Sequence, residues 1–275
     1  MSNAAGLEPE LGGMDVIPES QLRKDIVEVG RRIWLRGYVA ANDGNISVRI
    51  GPDEFLCTPT GVSKGFMTPE MVIKVNGRGE RISGTLKPST EIKLHLGVYR
   101  DRPDVNAVVH AHPPVSTAFA VAGLPLSKCT LPEVIISLGN IPLAQYGTPS
   151  TEELPAAIAK YVKDHDAFLL ENHGALTVGT DVYNAYHKME TMEHFATISL
   201  AARQLGGEQE LPSHQVSRLI EIRNKMGIKG AHPGCQECGA CGITQGPATA
   251  GGKLDDAQLT QLITAVVTQV LQESR

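Results

Sequence analysis

Apolar positions repeat with two different periods along the chain, and their alternation sets the expected order of elements. From Ser20, residues Leu22, Ile26, Val29, Ile33 and Trp34 recur at helical spacing and predict an amphipathic helix to about Tyr38. The pattern breaks at Gly44-Asn45. Two short strand-like runs, Ile46 to Ile50 and Phe55 to Thr58, are joined by Gly51-Pro52-Asp53 and read as a hairpin, since Pro presets φ for a turn. Further strand-like runs fall at Val72–Val75, Ala107–Ala111, Phe168–Leu170 and Ala175–Val178. Helical periods fall between them at Ser89–Tyr99, Pro114–Ala122, Glu152–Val162 and Tyr183–Leu205. Interleaved strands and helices predict a single α/β domain over residues 19–228, a mixed central sheet covered by helices. Residues 1–18 lack periodicity and read as a flexible lead.

Beyond Lys225 the character changes. Residues 229–253 hold Cys235, Cys238 and Cys241, then a stretch of Gly, Pro, Ala and Thr that reads as a linker. A helical stripe returns over residues 254–272: Leu254, Leu259, Leu262, Ile263, Val266, Val267, Val270 and Leu271 share one face, with Asp255 and Asp256 at the dipole's positive end. A helix of that length on such a tether is marginal alone in water, so it is expected to dock. Its low positive charge disfavours a membrane surface. The arrangement resembles the encapsulation peptides that carry enzymes into bacterial microcompartments, which implies a shell protein as partner; folding back on its own domain is the alternative.

Composition narrows the function. The chain has 275 residues, 25 Lys+Arg against 30 Asp+Glu, and 4% aromatics, so neither a phosphate-tracking basic face nor a base-stacking platform is supplied. Nucleic acid is not the expected partner, and no apolar run is long enough for a membrane helix. No basic region leads into an apolar core at the start, so a cytoplasmic location is expected. The three cysteines at spacing three point to metal or redox chemistry, an iron–sulfur cluster or a structural zinc, with His232 able to complete the ligand set.

The strongest chemical signal is His110-Ala111-His112 at the end of an apolar run. In a strand, i and i+2 share a face, so the two imidazoles converge as metal ligands do, although such a pair can also be satisfied by its neighbours. His173, in Leu170-Glu171-Asn172-His173-Gly174, falls at a turn between two apolar runs. Three histidines would leave one position open, as a catalytic zinc requires. Glu91 is expected in the first turn of a helix that Pro88 begins.

Five ordered blocks, Gly44-Asn45-Ile46-Ser47, Thr58-Pro59-Thr60-Gly61, Lys87-Pro88-Ser89-Thr90-Glu91, His110-Ala111-His112 and Asn172-His173-Gly174, resemble the zinc-dependent class II aldolase/adducin family over about residues 20–225. The resemblance implies zinc, or another divalent metal, on His110, His112 and His173. It implies Glu91 as the acid/base, and Asn45, Thr60, Gly61, Ser89 and Thr90 as the holders of a substrate phosphate. It further implies a homotetramer that cleaves a ketose 1-phosphate, such as L-fuculose 1-phosphate, to dihydroxyacetone phosphate and an aldehyde such as lactaldehyde. A shell would retain that volatile aldehyde. One departure stands out: where the family's aldolases carry a tyrosine donor this chain has Leu131, and Glu133 is the nearest titratable replacement, its alternative being a solvated loop charge. That departure leaves open a dehydratase of the same family. A 4-epimerase, whose family members carry aspartate at the position of Glu91, and a non-catalytic adducin-like module are weaker alternatives.

Overall fold

The computed structural model describes residues 17–228. The cysteine cluster at Cys235, Cys238 and Cys241 and the helix expected at 254–272 lie outside the described residues.

The helix predicted near the start is α1 (Glu19–Leu35), which buries Ile26, Val29, Gly30 and Ile33, one stripe of its surface. The predicted hairpin follows as β1 (Asn45–Gly51) and β2 (Glu54–Cys57), paired antiparallel with Ser47 opposite Cys57. A turn of 3-10 helix at Lys64–Phe66 leads on to β3 (Ile73–Val75) and β4 (Arg81–Ser83). Next come α2 (Ile92–Asp101), β5 (Ala107–Ala111), α3 (Pro114–Val121) and α4 (Pro132–Ser137). The chain continues through β6 (Leu143–Ala144), α5 (Glu153–Ala159), β7 (Ala167–Leu170), β8 (Gly174–Gly179), α6 (Val182–Gln204) and α7 (Ser213–Lys225).

The strands form one mixed sheet in the order β4-β3-β2-β1-β5-β8-β7-β6, antiparallel except for the parallel β6–β7 pair. Alternation along the strands sorts side chains to two faces. Ala107, Val109, Leu169 and Ala175 join the core beneath α1, α3 and α6. Val108, Phe168, Leu176 and Val178 join the core beneath α2 and α5. This is the helix-covered mixed sheet expected from the pattern.

Four elements have no counterpart in the periodicity. β4 is exposed at all three residues, β6 has only two residues, and α4 and α7 bury little apart from Val134, Ile135, Val216 and Arg223. Short or mostly solvated elements carry too few apolar positions to show a period.

Candidate metal centre and active site

Strand β5 sits between β1 and β8, with His110 opposite Asn45 on one side and Leu176 on the other. It therefore delivers His110 to the middle of the sheet, fully buried. His112 follows just past the strand end, and its N–H donates to the carbonyl of Tyr38, which holds the chain extended. The third histidine comes from the tight turn joining β7 to β8. Asn172 has φ of 54° there, a left-handed conformation that Asn tolerates better than most residues, and His173 N–H closes the turn on the Leu170 carbonyl.

These three imidazoles converge: one nitrogen from each lies within 4.8 Å of the other two. His110 Nε2 and His112 Nε2 are 3.2 Å apart. The tautomer of His110 follows from its other nitrogen, since Nδ1 lies 2.9 Å from the Ala175 carbonyl, which can only accept. Nδ1 therefore carries the proton, and Nε2 presents a lone pair to the cluster. Burial, and the charges His173 and His112 would carry, push the His110 pKa well below its ordinary value. Burial lowers His173 as well. Neutral imidazoles with convergent lone pairs repel one another unless a cation lies among them, so this donor set fits a divalent metal.

Glu91 faces the same point. Its Oε2 is 3.4 Å from His110 Nε2, and its Oε1 is 3.3 Å from His173 Nε2. The residue does not sit in a helical first turn begun by Pro88, as the sequence suggested. Pro88 instead forms an isolated bridge with Pro59, and the helix starts at Ile92 with Glu91 as its N-cap residue. The bridge extends the chain up to Ser89, so the carboxylate leaves the helix axis and turns toward the histidines. It makes no side-chain cap bond. Buried Glu91 Oε1, which faces His173 Nε2, has no hydrogen-bond partner, which leaves polar capacity aimed at the cluster.

Asn45 donates from Nδ2 to Glu91 Oε2 at 2.7 Å. Thr60, Ser89 and Thr90, from the expected phosphate holders, line one cavity of about 180 Å³ together with Asn45, Glu91 and His112. Gly61 adjoins this wall, exposed, with φ of 72°. The amides of Thr60 and Ser89 are already bonded, to the carbonyls of Lys87 and Thr58. Hydroxyls rather than those amides therefore face any anion. Glu133 is exposed in the first turn of α4 and is not among the cavity residues. Leu131 packs partly buried against the main core, with no hydroxyl to offer.

Three features escaped the sequence reading. Asp43 Oδ2 lies 3.4 Å from His112 Nδ1, placed to orient that ring. Lys64 is 1% exposed yet lines the cavity. Pro149 and Ser150 form part of the wall, with Ser150 at φ of 67°. None falls in an apolar period or a histidine motif, and only their place in the cavity marks them. His95 is fully buried beside the site, its Nδ1 2.7 Å from Ser47 Oγ, and burial lowers its pKa to about 3. It is a packing histidine.

The site and sheet together define a class of protein, an α/β fold carrying a three-histidine centre with an adjacent carboxylate. The chain belongs to the class II aldolase and adducin N-terminal domain family, whose model matches residues 24–200. It is 35% identical over 184 residues to the 3-oxo-tetronate 4-phosphate decarboxylase of Escherichia coli K12, covering 66% of this chain and 86% of that protein. It is 34% identical over 178 residues to the L-fuculose phosphate aldolase of Methanocaldococcus jannaschii, covering 65% of this chain and 95% of that protein. Among solved structures, Klebsiella pneumoniae YgbL aligns with a TM-score of 0.68 at 31% identity, over 74% of this chain and 99% of that one. The L-fuculose-1-phosphate aldolase of Thermus thermophilus aligns with a TM-score of 0.60 at 33% identity, over 69% of this chain and 99% of that one. No helix among the described residues is long and apolar enough to cross a membrane.

Proposed function

We propose that this chain is a metal-dependent carbon–carbon lyase that cleaves a ketose 1-phosphate, L-fuculose 1-phosphate or a close analogue, to dihydroxyacetone phosphate and an aldehyde such as lactaldehyde. The observation that carries the reading is the Glu91 carboxylate, held by Asn45 and set against two of three convergent histidines. Zinc or another divalent ion held by His110, His112 and His173 would supply Lewis-acid polarisation of the substrate carbonyl. When the C3–C4 bond breaks, its electron pair stays on C3 of the phosphorylated fragment, and the proton of the C4 hydroxyl passes to solvent as the aldehyde forms. Glu91 is the group that delivers a proton to C3, with Asn45 fixing which carboxylate oxygen is free to do so. The hydroxyls of Thr60, Ser89 and Thr90, with Asn45 and Gly61, would hold the phosphate end. Glu133 would serve the aldehyde oxygen only if a neighbouring subunit completes the site, which is how the proposed homotetramer would act.

A second reading is decarboxylation of a 3-oxo sugar-acid phosphate. The specific observation favouring it is Leu131, because carbon dioxide leaves without the hydroxyl donor that an aldehyde oxygen uses. Both reactions leave an electron pair beside the carbonyl for Glu91 to protonate. Assaying metal-loaded protein with L-fuculose 1-phosphate for dihydroxyacetone phosphate, and with 3-oxo-tetronate 4-phosphate for carbon dioxide, decides between them. Carbon dioxide release alone would remove the aldolase reading.

Residues 254–272 are proposed as a docking helix for a microcompartment shell, with the enzyme inside that compartment in the cytoplasm. Diffuse fluorescence of a 245–275 fusion in cells making the cognate shell would refute it. Cys235, Cys238 and Cys241 are proposed to bind a structural zinc or an iron–sulfur cluster, which metal analysis of Cys→Ser variants tests.

A further inference from the structure

Lys64 is a charged side chain almost fully enclosed at the wall of the candidate active site. Its ammonium donates to two backbone carbonyls, Asn42 at 2.8 Å and Val62 at 2.9 Å. Those carbonyls belong to different parts of the site. Asn42 lies in the loop that carries Asp43, which faces His112, and that leads into β1 at Asn45, which holds Glu91. Val62 follows Thr60 and Gly61, at the end of the cavity expected to take the phosphate.

The base of the lysine is rigid. A Cβ on Gly30 of α1 would come within 2.8 Å of the Lys64 carbonyl oxygen, and one on Gly65 within 2.5 Å of the Trp34 ring. Helix and lysine segment are thus in close backbone contact. The loop it reaches is strained: Ala41 has φ of 45°, a left-handed conformation that a residue with a Cβ rarely adopts. Strain of this kind persists only where the surroundings over-determine it. Burial also pulls the lysine pKa down to about 8.

We propose that Lys64 is a positioning residue that ties the Asn42–Asn45 loop to the Thr60–Val62 segment, setting the distance between the histidine centre and the phosphate end of the cavity. A ligand that spans both ends depends on that distance. A ligand that occupies one end does not.

The test uses full-length, metal-loaded protein and Lys64→Met, which keeps an unbranched side chain while removing the donors. Metal stoichiometry should be unchanged. Inhibition by inorganic phosphate should stay within threefold, while binding of dihydroxyacetone phosphate, which spans both ends, should weaken tenfold or more. Adding Ala41→Gly removes the strain, so the double variant should recover much of that loss. Equal weakening of both ligands would show a direct ionic contact with the phosphate and overturn the positioning role. No change in either, or no recovery in the double variant, would also overturn it.

This ligand arm rests on the proposed function, but a second measurement does not. Amide exchange at Asp43 and Thr60, bonded to the carbonyls of Ala40 and Lys87, should quicken together at least tenfold in Lys64→Met. Unchanged exchange refutes the tie whatever the substrate proves to be, whereas failure of wild type to bind dihydroxyacetone phosphate counts against the proposed function alone. Should Lys64→Met not fold, Lys64→Gln, with one shorter amide donor, carries the same readings.

Discussion

Asn45 and Glu91, 46 residues apart in the chain, meet through a 2.7 Å hydrogen bond from the Asn45 amide to Glu91 Oε2. The bond exists because β1 lies beside β5, which presents His110 directly opposite Asn45, while α2 crosses that face and sets Glu91 at its N-cap. One carboxylate oxygen thereby accepts from an amide, and the other faces His173. The resemblance assigned Asn45 to a phosphate. In this structure one of its two amide N–H donors holds the acid/base, and its buried Oδ1 has no hydrogen-bond partner.

Glu91→Gln should retain metal at wild-type stoichiometry, since all three histidines remain, and lose turnover by about 10²–10⁴-fold, the usual worth of a positioned acid/base. Metal analysis beside a product-release assay checks it. Activity within a few-fold of wild type would remove Glu91 from the proton-transfer role.

Gly174→Ala should weaken metal binding. An added Cβ would stand 2.5 Å from His112 Cδ2 and 2.7 Å from the Ala111 carbonyl oxygen, so the ring or the strand end must move. Gly174 is not among the residues with positive φ, so the effect is steric rather than conformational. Displacing a ligand from its orienting partner typically costs about 10–100-fold in affinity. Competition with a chelator measures it, and wild-type affinity would mean that the His112 position is not set by this contact.

Lys64 should leave a signature in stability against pH. Its folded pKa is about 8 against an ordinary value of 10.5, so below pH 8 both states are charged and the burial penalty is constant. Between pH 8 and 10.5 the unfolded chain keeps the proton while the folded one releases it, and stability rises with pH. The gain is up to about 3 kcal/mol at roughly 1.4 kcal/mol per pH unit. Urea midpoints of wild type should therefore rise relative to those of Lys64→Met from about pH 8 to 10, the variant cancelling the tyrosines that also titrate there. A difference independent of pH would show that the ammonium is solvated.

What could be read from residue order was whatever repeats locally. The stripe of α1, the Gly51-Pro52-Asp53 turn, the alternation of β5 and β8 and the His110-Ala111-His112 pair each lie within a few residues, where pitch or pleat alone decides which side chains share a face. The third histidine was legible only as a turn residue between two apolar runs, and its convergence on the other two is decided by the pairing of β7 and β8 beside β5. Sheet order was not, since β5 between β1 and β8 is chosen by the packing of both sheet faces under helices. The bond from Asn45 to Glu91, the approach of Asp43 to His112 and the reach of Lys64 to Asn42 join side chains on loops without period. Their partners are brought near only when the sheet assembles, so tertiary packing alone decides which carboxylate faces the histidines and which lysine is buried beside them.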